Sequence, residues 1–559
     1  MNKPYELRIL NEDESQQLLL KKIFPNQFAN ECPDNLLPLI KHFVQKCGGW
    51  PLALVVLGGI LSTKDHEYNT WNEIMLKMDW HTNGSKCLDI ISTSYDDLPT
   101  HLKPCFMYIA SFPEDYKIKS TTLVQLWIAE GFIQHDQSTK TMEDIAHDYL
   151  DELVQRCMVQ VSERSWSGRV KYCYVHDILH ELSIRKAKEN NFLLVCSKFN
   201  ANSTNETSAR MRRIAFHECV DTELQIGSVG PNLRSLIYFV ENIPNYNELM
   251  RMVRVLHLEY GWALRDPKYL KHLTTLRYFR SHKGYQLHKL PTSFWNNKML
   301  MYVKIEGPPE RFPMGPLPSV NLENLLTLKG IVARDEWKAK FPHFPRIRKL
   351  GFSIAPEIDW KAIAHSMRKL KHLYSLSVFT QWSTSSTHPR LIPAFKNFEQ
   401  LHSLFLDCFW LKGVVDDSSF PRGLVKLSLK NSSLIGQDPM RELEKLPNLR
   451  ILRLLKNSYA GNKLVCSAGG FRCLQQLELS GLSLLVALEV KEGAMPVLNS
   501  LKIRFCPNLD PMLPDLQNLT HLRELELSSD MHNKFCSSLK GADQHKVAHI
   551  PSIKIGKKL

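Results

Sequence analysis

The phrase Leu-x-x-Leu-x-Leu recurs through the second half of the chain, and no other feature restricts the fold as tightly. It stands at Leu401-Leu404-Leu406, Leu424-Leu427-Leu429, Leu449-Leu452-Leu454, Leu474-Leu477-Leu479, Leu498-Leu501-Ile503 and Leu522-Leu525-Leu527. Looser copies open near Leu233, Val253, Leu276, Leu300, Leu322, Ile347 and Leu373. The mean step is about 24 residues, inside the leucine-rich-repeat range. A strand sends alternate side chains to opposite faces, so each unit keeps an apolar face until a neighbour covers it. About thirteen units over residues 233–535 therefore predict a solenoid of α/β type, a horseshoe, followed by a tail at 536–559. The residues between the leucines then line its concave surface: Ser403, Phe405 and Asp407, Lys426 and Lys430, Arg453, Glu478, Lys502 and Arg504, and Glu526. Both signs of charge occur, which suits a protein partner better than a phosphate backbone. The plainer alternative is that part of this set is only solvated strand.

Upstream the rule is helical. Asn11 before Glu12-Asp13-Glu14 predicts a capped helix carrying Leu18, Leu19, Ile23 and Phe24,. Helices are expected at 35–47 and 52–61, broken by the Gly48-Gly49-Trp50-Pro51 turn,. Leu102, Cys105, Phe106 and Ile109 mark another helix, and Ser120 or Thr121 can cap the next, which ends near Gly131,. Thr141 to Asp144 resembles a capping box for a third,. The period then becomes two: Val159 and Val161, then Val170, Tyr172 and Tyr174, flank a turn at Ser165-Trp166-Ser167-Gly168,. Three helices and a β-hairpin predict a winged helix. The organisation expected is a helical part at 1–90, the winged helix at 91–195 and a linker or capping segment at 196–232 before the repeats.

Bulk properties narrow the function. The net charge of +14 is uneven, −5 over residues 1–200 and +19 beyond them. The winged helix thus lacks a basic recognition face, and nucleic acid is not expected as a partner. The sequence opens without a basic-then-apolar leader, and Pro51 to Leu61, its longest apolar run, is too short to span a bilayer,. Thirteen scattered cysteines form no framework of pairs; reduced thiols in a cytoplasmic protein, with the nucleus as the second compartment, are the expectation.

Several motifs in order resemble the plant NB-ARC leucine-rich-repeat disease resistance proteins of coiled-coil type. Tyr5 to Ser15 is similar to the segment opening their first helical subdomain, and Gly48-Gly49-Trp50-Pro51-Leu52-Ala53-Leu54 resembles their Gly-Leu-Pro-Leu motif, with Trp50 for leucine. Ser94-Tyr95-Asp96-Asp97-Leu98-Pro99, Cys105 to Tyr108, Phe112 to Asp115 and Leu126 to Ile133 resemble the stretch through their winged helix. Val175-His176-Asp177 stands where the family has Met-His-Asp. The resemblance implies that 1–90 and 91–195 are the two helical parts of an ATP/ADP-operated switch. It further implies that Pro51 packs near the adenine and His176 contacts the ADP β-phosphate, with Asp177 capping the helix and orienting the imidazole.

The phosphate loop Gly-x-x-x-x-Gly-Lys-Ser/Thr of that switch does not occur in the sequence, nor does the acidic strand that would hold Mg²⁺,. The coiled coil and phosphate-loop core are thus read as missing, and neither ATP hydrolysis nor a working nucleotide cofactor is expected. The helices at 1–60 should then leave an apolar face bare. His176-Asp177-Ile178-Leu179-His180 spaces two histidines as zinc proteases do, but without the glutamate base or a third ligand, so neither a metal nor a catalytic residue is expected,. The leading expectation is an immune receptor fragment. Its repeats would recognise a pathogen effector or a guarded host protein, other full-length receptors being further partners, and its winged helix would relay occupancy to the hypersensitive response. The alternative is a repeat scaffold that binds partners without switching.

Overall fold

The computed structural model describes residues 8–25, 32–77, 86–134, 139–197, 211–217, 232–240, 251–259, 267–282, 290–309, 312, 320–339, 341–354, 360–380, 395–407, 419–432, 434, 438–509, 515–528 and 547–555. The chain divides into two compact units, Met1–Tyr260 and Gly261–Leu559.

The first unit opens with α1 (Glu12–Ile23), set off by a complete capping box. The Asn11 side chain accepts from the Glu14 N–H, and the Glu14 carboxylate accepts from the Asn11 N–H. Helix α2 (Leu37–Cys47) ends on Gly48 in the left-handed region, at φ 58°. The chain turns through Gly49 into α3 (Pro51–Leu61), where Pro51 takes a first-turn position that needs no N–H partner,. Helix α3 is apolar nearly all round and packs with its backbone. A Cβ on Gly58 would lie 2.7 Å from Lys22 Cγ of α1, and one on Gly59 would lie 2.7 Å from the Arg156 carbonyl oxygen. Helices α4 (Tyr68–Lys77) and α5 (Lys86–Asp96) complete this part, α5 crossing the boundary expected at residue 90. Leu19, Phe43, Leu54, Leu57 and Trp71 share one core. The bare apolar face expected at 1–60 is accordingly narrow: among the described residues there, Ile9 and Trp50 are the large hydrophobics left exposed.

The winged helix follows as α6 (Leu102–Ile109), β1 (Ile118–Lys119), α7 (Ser120–Glu130), α8 (Met142–Gln155), β2 (Gln160–Arg164), β3 (Val170–Tyr174) and α9 (Asp177–Glu189). Helix α8 begins on a capping box between Thr141 and Asp144. Helix α7 departs from expectation, since neither Ser120 nor Thr121 caps it. Lys119 is the N-cap and lends no side chain, while Ser120 Oγ donates to the Val170 carbonyl at 2.6 Å and pins the helix to the wing. Strand β1 joins the hairpin as a third member, in the order β1-β3-β2. Register shifts around Glu163 change the phase of the pleat, so Val170 and Cys173 are buried while Tyr174 is exposed,.

Four parallel strands close the unit: β4 (Leu194–Cys196), β5 (Arg213–Phe216), β6 (Ser235–Tyr238) and β7 (Val255–Leu258). Two of them precede residue 233, where the ladder was expected to start, and fall in or beside the stretch read as a linker. Every residue of β5, β6 and β7 is buried, which erases the alternation that would have revealed β5.

The second unit is the repeat ladder. Its parallel strands are β8 (Tyr278–His282), β9 (Tyr302–Glu306), β10 (Thr327–Ala333), β11 (Lys349–Ile354), β12 (Ser375–Thr380), β13 (Ser403–Asp407), β14 (Lys426–Lys430) and β15 (Ile451–Leu454). Then come β16 (Lys463–Cys466), β17 (Gln476–Ser480), β18 (Ala487–Val490), β19 (Ser500–Arg504), β20 (Glu524–Leu527) and β21 (Ser552–Ile555). Strands β16 and β18 pair apart from the rest, while the others run side by side in chain order. Pairing in register stacks Leu404, Leu427, Leu452, Leu477, Leu501 and Leu525 into one column, each at most 1% exposed. Burying such a side chain contributes roughly 1.5–3 kcal/mol. Strand β21 lies within the stretch expected to be a tail, yet it pairs with β20 and extends the ladder.

Candidate functional site

On each ladder strand the positions between the column residues face away from the leucine core. In the first unit that face is occupied. Arg213 and Ala215 of β5, Ser235 and Ile237 of β6, and Val255 and His257 of β7 are all at most 7% exposed, because the winged helix packs onto them. Glu130, at the last turn of α7 and fully buried, accepts from Arg213 Nε at 2.9 Å and from the Ser235 hydroxyl. The Arg213 guanidinium lies over the Phe132 and Phe192 rings, 5.0 and 4.2 Å from their centroids,. Burial pushes the Glu130 carboxyl up, and the Arg213 charge opposes it. Beside this pair, Phe112 and Tyr116 pack edge-on against Phe239, and Phe112 also meets His257. Two histidines hold the turn after α6: His180 Nε2 lies 2.7 Å from the Phe112 carbonyl, and His217 Nε2 lies 3.0 Å from that of Ser111. Burial pushes His217 down to about 4, so its imidazole is neutral and donates. The sequence marked His180 only as one of a spaced pair and Glu130 only as part of the Leu126 to Ile133 stretch, and did not mark Arg213 or His217; their partners lie 68 to 106 residues away.

The residues assigned by resemblance to a nucleotide lie on separate helices. Pro51 is exposed at the start of α3. His176 is half-buried and is itself the N-cap of α9, its Nδ1 accepting from the Ile178 N–H at 3.4 Å. Capping was expected of Asp177, which instead is the first helical residue and exposed. An accepting Nδ1 places the ring proton on Nε2, the tautomer that donates to an anion. Asp97 in the Tyr95-Asp96-Asp97 motif has a structural task, receiving Arg156 at 3.0 Å and Lys64 at 2.8 Å.

In the second unit the expected surface set falls into two groups. Arg453 meets Glu478 at 3.1 Å, Glu478 meets Arg504 at 3.6 Å, Lys502 meets Glu526 at 2.8 Å, and Arg504 also pairs with Glu526. Lys554 of the added strand binds Glu524 at 2.6 Å. These charges form a cross-strand lattice and largely cancel. Burial works to raise Glu526, but the hydrogen bonds from Lys502 and Arg504 hold it below its ordinary value. Asp407, expected on the surface, is buried and accepts from Lys430 and Asn431 at 2.8 and 2.7 Å. Ser403, Phe405, Lys426 and Lys430 remain half-buried on the open face. Earlier strands add residues that the sequence reading passed over because their repeats fit the phrase loosely. Phe379 lies with its ring 5.3 Å from that of Phe405, and Glu306 pairs with Arg280 and His282. Burial works to raise Glu306, but His282 and Arg280 hold it well below the usual carboxylate range.

A helical part, a winged helix packed on the first ladder strands and a long leucine-rich ladder define a leucine-rich-repeat protein with a winged-helix domain. Residues 112–183 match the family profile "Disease resistance protein Winged helix domain", and residues 270–548 match "Leucine-rich repeat region". In Arabidopsis thaliana, Disease resistance RPP8-like protein 3 is 31% identical over 98% of this chain and 64% of its own length. Disease resistance protein RPP8 of the same plant is 30% identical over the same shares. The chain belongs to the plant NB-ARC leucine-rich-repeat disease resistance proteins. It spans about 64% of the length of these relatives.

Proposed function

We propose that this chain is the sensing and regulating part of a plant immune receptor. Its leucine-rich repeats recognise a pathogen effector or a guarded host protein, and its winged helix relays that occupancy to the defence response and cell death. The observation that carries this reading is the Glu130–Arg213 pair with its aromatic surround, a buried link between winged helix and ladder. A charge pair cut off from water tolerates little displacement, so movement of the first strands would be felt by α7. In a chain that also held a phosphate loop, His176 would donate from Nε2 to a nucleotide phosphate, and Pro51 and Asp177 would lie at the rim of that site. The place of action proposed is the cytoplasm, with the nucleus as an alternative; among the described residues no helix is long and apolar enough to cross a membrane.

The second reading is a repeat scaffold that binds partners without switching, favoured by the length of the leucine-rich ladder, matched over residues 270–548. Co-expression in leaf tissue with a full-length related receptor separates the two. Altered cell death, lost on Glu130→Ala with Arg213 left unpaired, supports the relay. Partner capture with unchanged cell death supports the scaffold and overturns the relay.

A further inference from the structure

Three arginines stand in a column where the chain enters β5, β6 and β7. They occur in Met211-Arg212-Arg213-Ile214, Leu233-Arg234-Ser235-Leu236 and Val253-Arg254-Val255-Leu256, each just after the first apolar residue of its repeat. The ladder puts them in register. The Arg212 carbonyl accepts from the N–H groups of Arg234 and Ser235 at 2.6 and 3.1 Å, and the Arg234 carbonyl accepts from those of Arg254 and Val255 at 2.6 and 3.0 Å. Neighbouring strands lie about 4.8 Å apart, and two backbone bonds at each step keep the column from spreading.

Arg212 is exposed, while Arg234 and Arg254 are half-buried. The charges that act most on Arg234 are Arg254, Arg212 and Arg213, all repulsive, and Glu130, which is attractive. Burial and the like charges hold Arg234 below its ordinary value. Glu130 cannot relieve the whole column, because it is committed to Arg213 and Ser235 and also bears on Arg254. Four guanidiniums thus stand about one buried carboxylate. Among the described residues, no carboxylate pairs with Arg212 or Arg234. Arg254 has contacts of its own and adds charge to the column without having to turn outward. Like charges on adjacent strands are unfavourable, so an entering anion relieves repulsion as well as gaining hydrogen bonds.

We propose that the column of Arg212, Arg234 and Arg254 binds a compact polyphosphate, a molecule carrying at least two phosphate groups close enough together to meet adjacent strands. Guanidinium forks match phosphate oxygens in bidentate pairs, and each phosphate brings roughly two negative charges at neutral pH. An extended acidic peptide places carboxylates of one side about 6.6 Å apart with a single charge each, too sparse for this spacing. A nucleic-acid strand needs a longer track, about four nucleotides or more, than three strands provide. The ligand would lie beside Glu130 and Arg213 and steady the packing of the winged helix on β5 to β7. The site does not depend on what the later repeats recognise, nor on a relay.

Isothermal titration of the full chain with pyrophosphate, at matched ionic strength, tests this. The expected result is saturable one-to-one binding that raises the thermal midpoint and exceeds the binding of orthophosphate. Affinity should fall at least about tenfold on Arg234→Gln and on Arg212→Gln. The exposed Arg212 serves if Arg234→Gln does not fold. Binding should be unchanged on Arg523→Gln, since Arg523 holds the same place before β20 but follows Asn499 on the preceding strand instead of an arginine. Phosphatidylcholine vesicles with and without phosphatidylinositol bisphosphate separate the two sources of such a ligand. Co-sedimentation that needs this headgroup and fails in the column variants places it on a membrane, whereas pyrophosphate binding without co-sedimentation leaves it in solution; either supports the site. No saturable binding, binding untouched by both column substitutions, equal weakening on Arg523→Gln, or tighter binding of an oligoglutamate peptide would overturn the proposal.

Discussion

His217 shows how one side chain can report on the junction between winged helix and ladder. It is buried with Nε2 on the Ser111 carbonyl, near His180 and across the Phe239 ring from His257. Burial and His180 push it down to about 4, against the opposing hydrogen bond, whereas an unfolded histidine titrates near 6.5. Between these values the unfolded chain binds a proton that the folded chain refuses. Stability contributed by the neutral ring is therefore complete above about pH 6.5, falls as pH drops toward 4 and levels off below. The full span is worth roughly 3 kcal/mol. Gln in place of His217 keeps an N–H donor for Ser111 and does not titrate. Urea unfolding of the two proteins at pH 7 and pH 4.5 should show the loss in the parent and a clearly smaller loss in His217→Gln. Equal losses would assign the acid sensitivity to groups other than His217; Glu524 and Glu526 are not among them, since their depressed carboxyls give way only at still lower pH.

Helix α3 fits between α1 and the end of α8 because two of its residues have no side chain. Valine at Gly59 would place its Cβ against the Arg156 carbonyl, which belongs to backbone and has little room to yield. A cost of about 1–3 kcal/mol is expected, read as a lowered thermal midpoint. Gly168→Ala, in the open hairpin turn at φ 79°, should cost only about 1–2 kcal/mol. A Gly59→Val protein as stable as its parent would show that α3 and α8 do not touch as described. These cases also mark where sequence reading stops. The capping boxes at Asn11 and Thr141 were legible because a cap and its partner are three residues apart,. The leucine columns were legible because the repeat imposes their period. Gly59 was not, since its neighbour Arg156 comes from a different helix. Nor was β5, whose burial on both faces leaves no alternation to read. His176 was found through the motif around it, but its capping of α9 depends on a backbone geometry that no motif spells out. The charge lattice was visible as residues and invisible as pairs. Arg453 and Glu478 are 25 positions apart and meet only because the strands stack in register.

At the scale of the molecule, the same kind of ladder face has two uses. On β5, β6 and β7 it is covered by the winged helix and tied down by Glu130, Arg213 and the rings around Phe112. On β10 to β14 it remains open around Phe379 and Phe405. A receptor of the kind proposed would need one stretch of its repeats committed to the winged helix and another left to a partner. The division can be measured by maleimide labelling and mass spectrometry of two single substitutions at open-face positions, Ala215→Cys on β5 and Ser377→Cys on β12. The account predicts that Ala215→Cys reacts as slowly as the buried native Cys173, while Ser377→Cys reacts readily. It further predicts that adding Glu130→Ala, which strands the Arg213 charge at a cost of about 3–5 kcal/mol, speeds the Ala215→Cys reaction and leaves that of Ser377→Cys unchanged. Labelling of Ala215→Cys as fast as Ser377→Cys in the otherwise unaltered chain would contradict it.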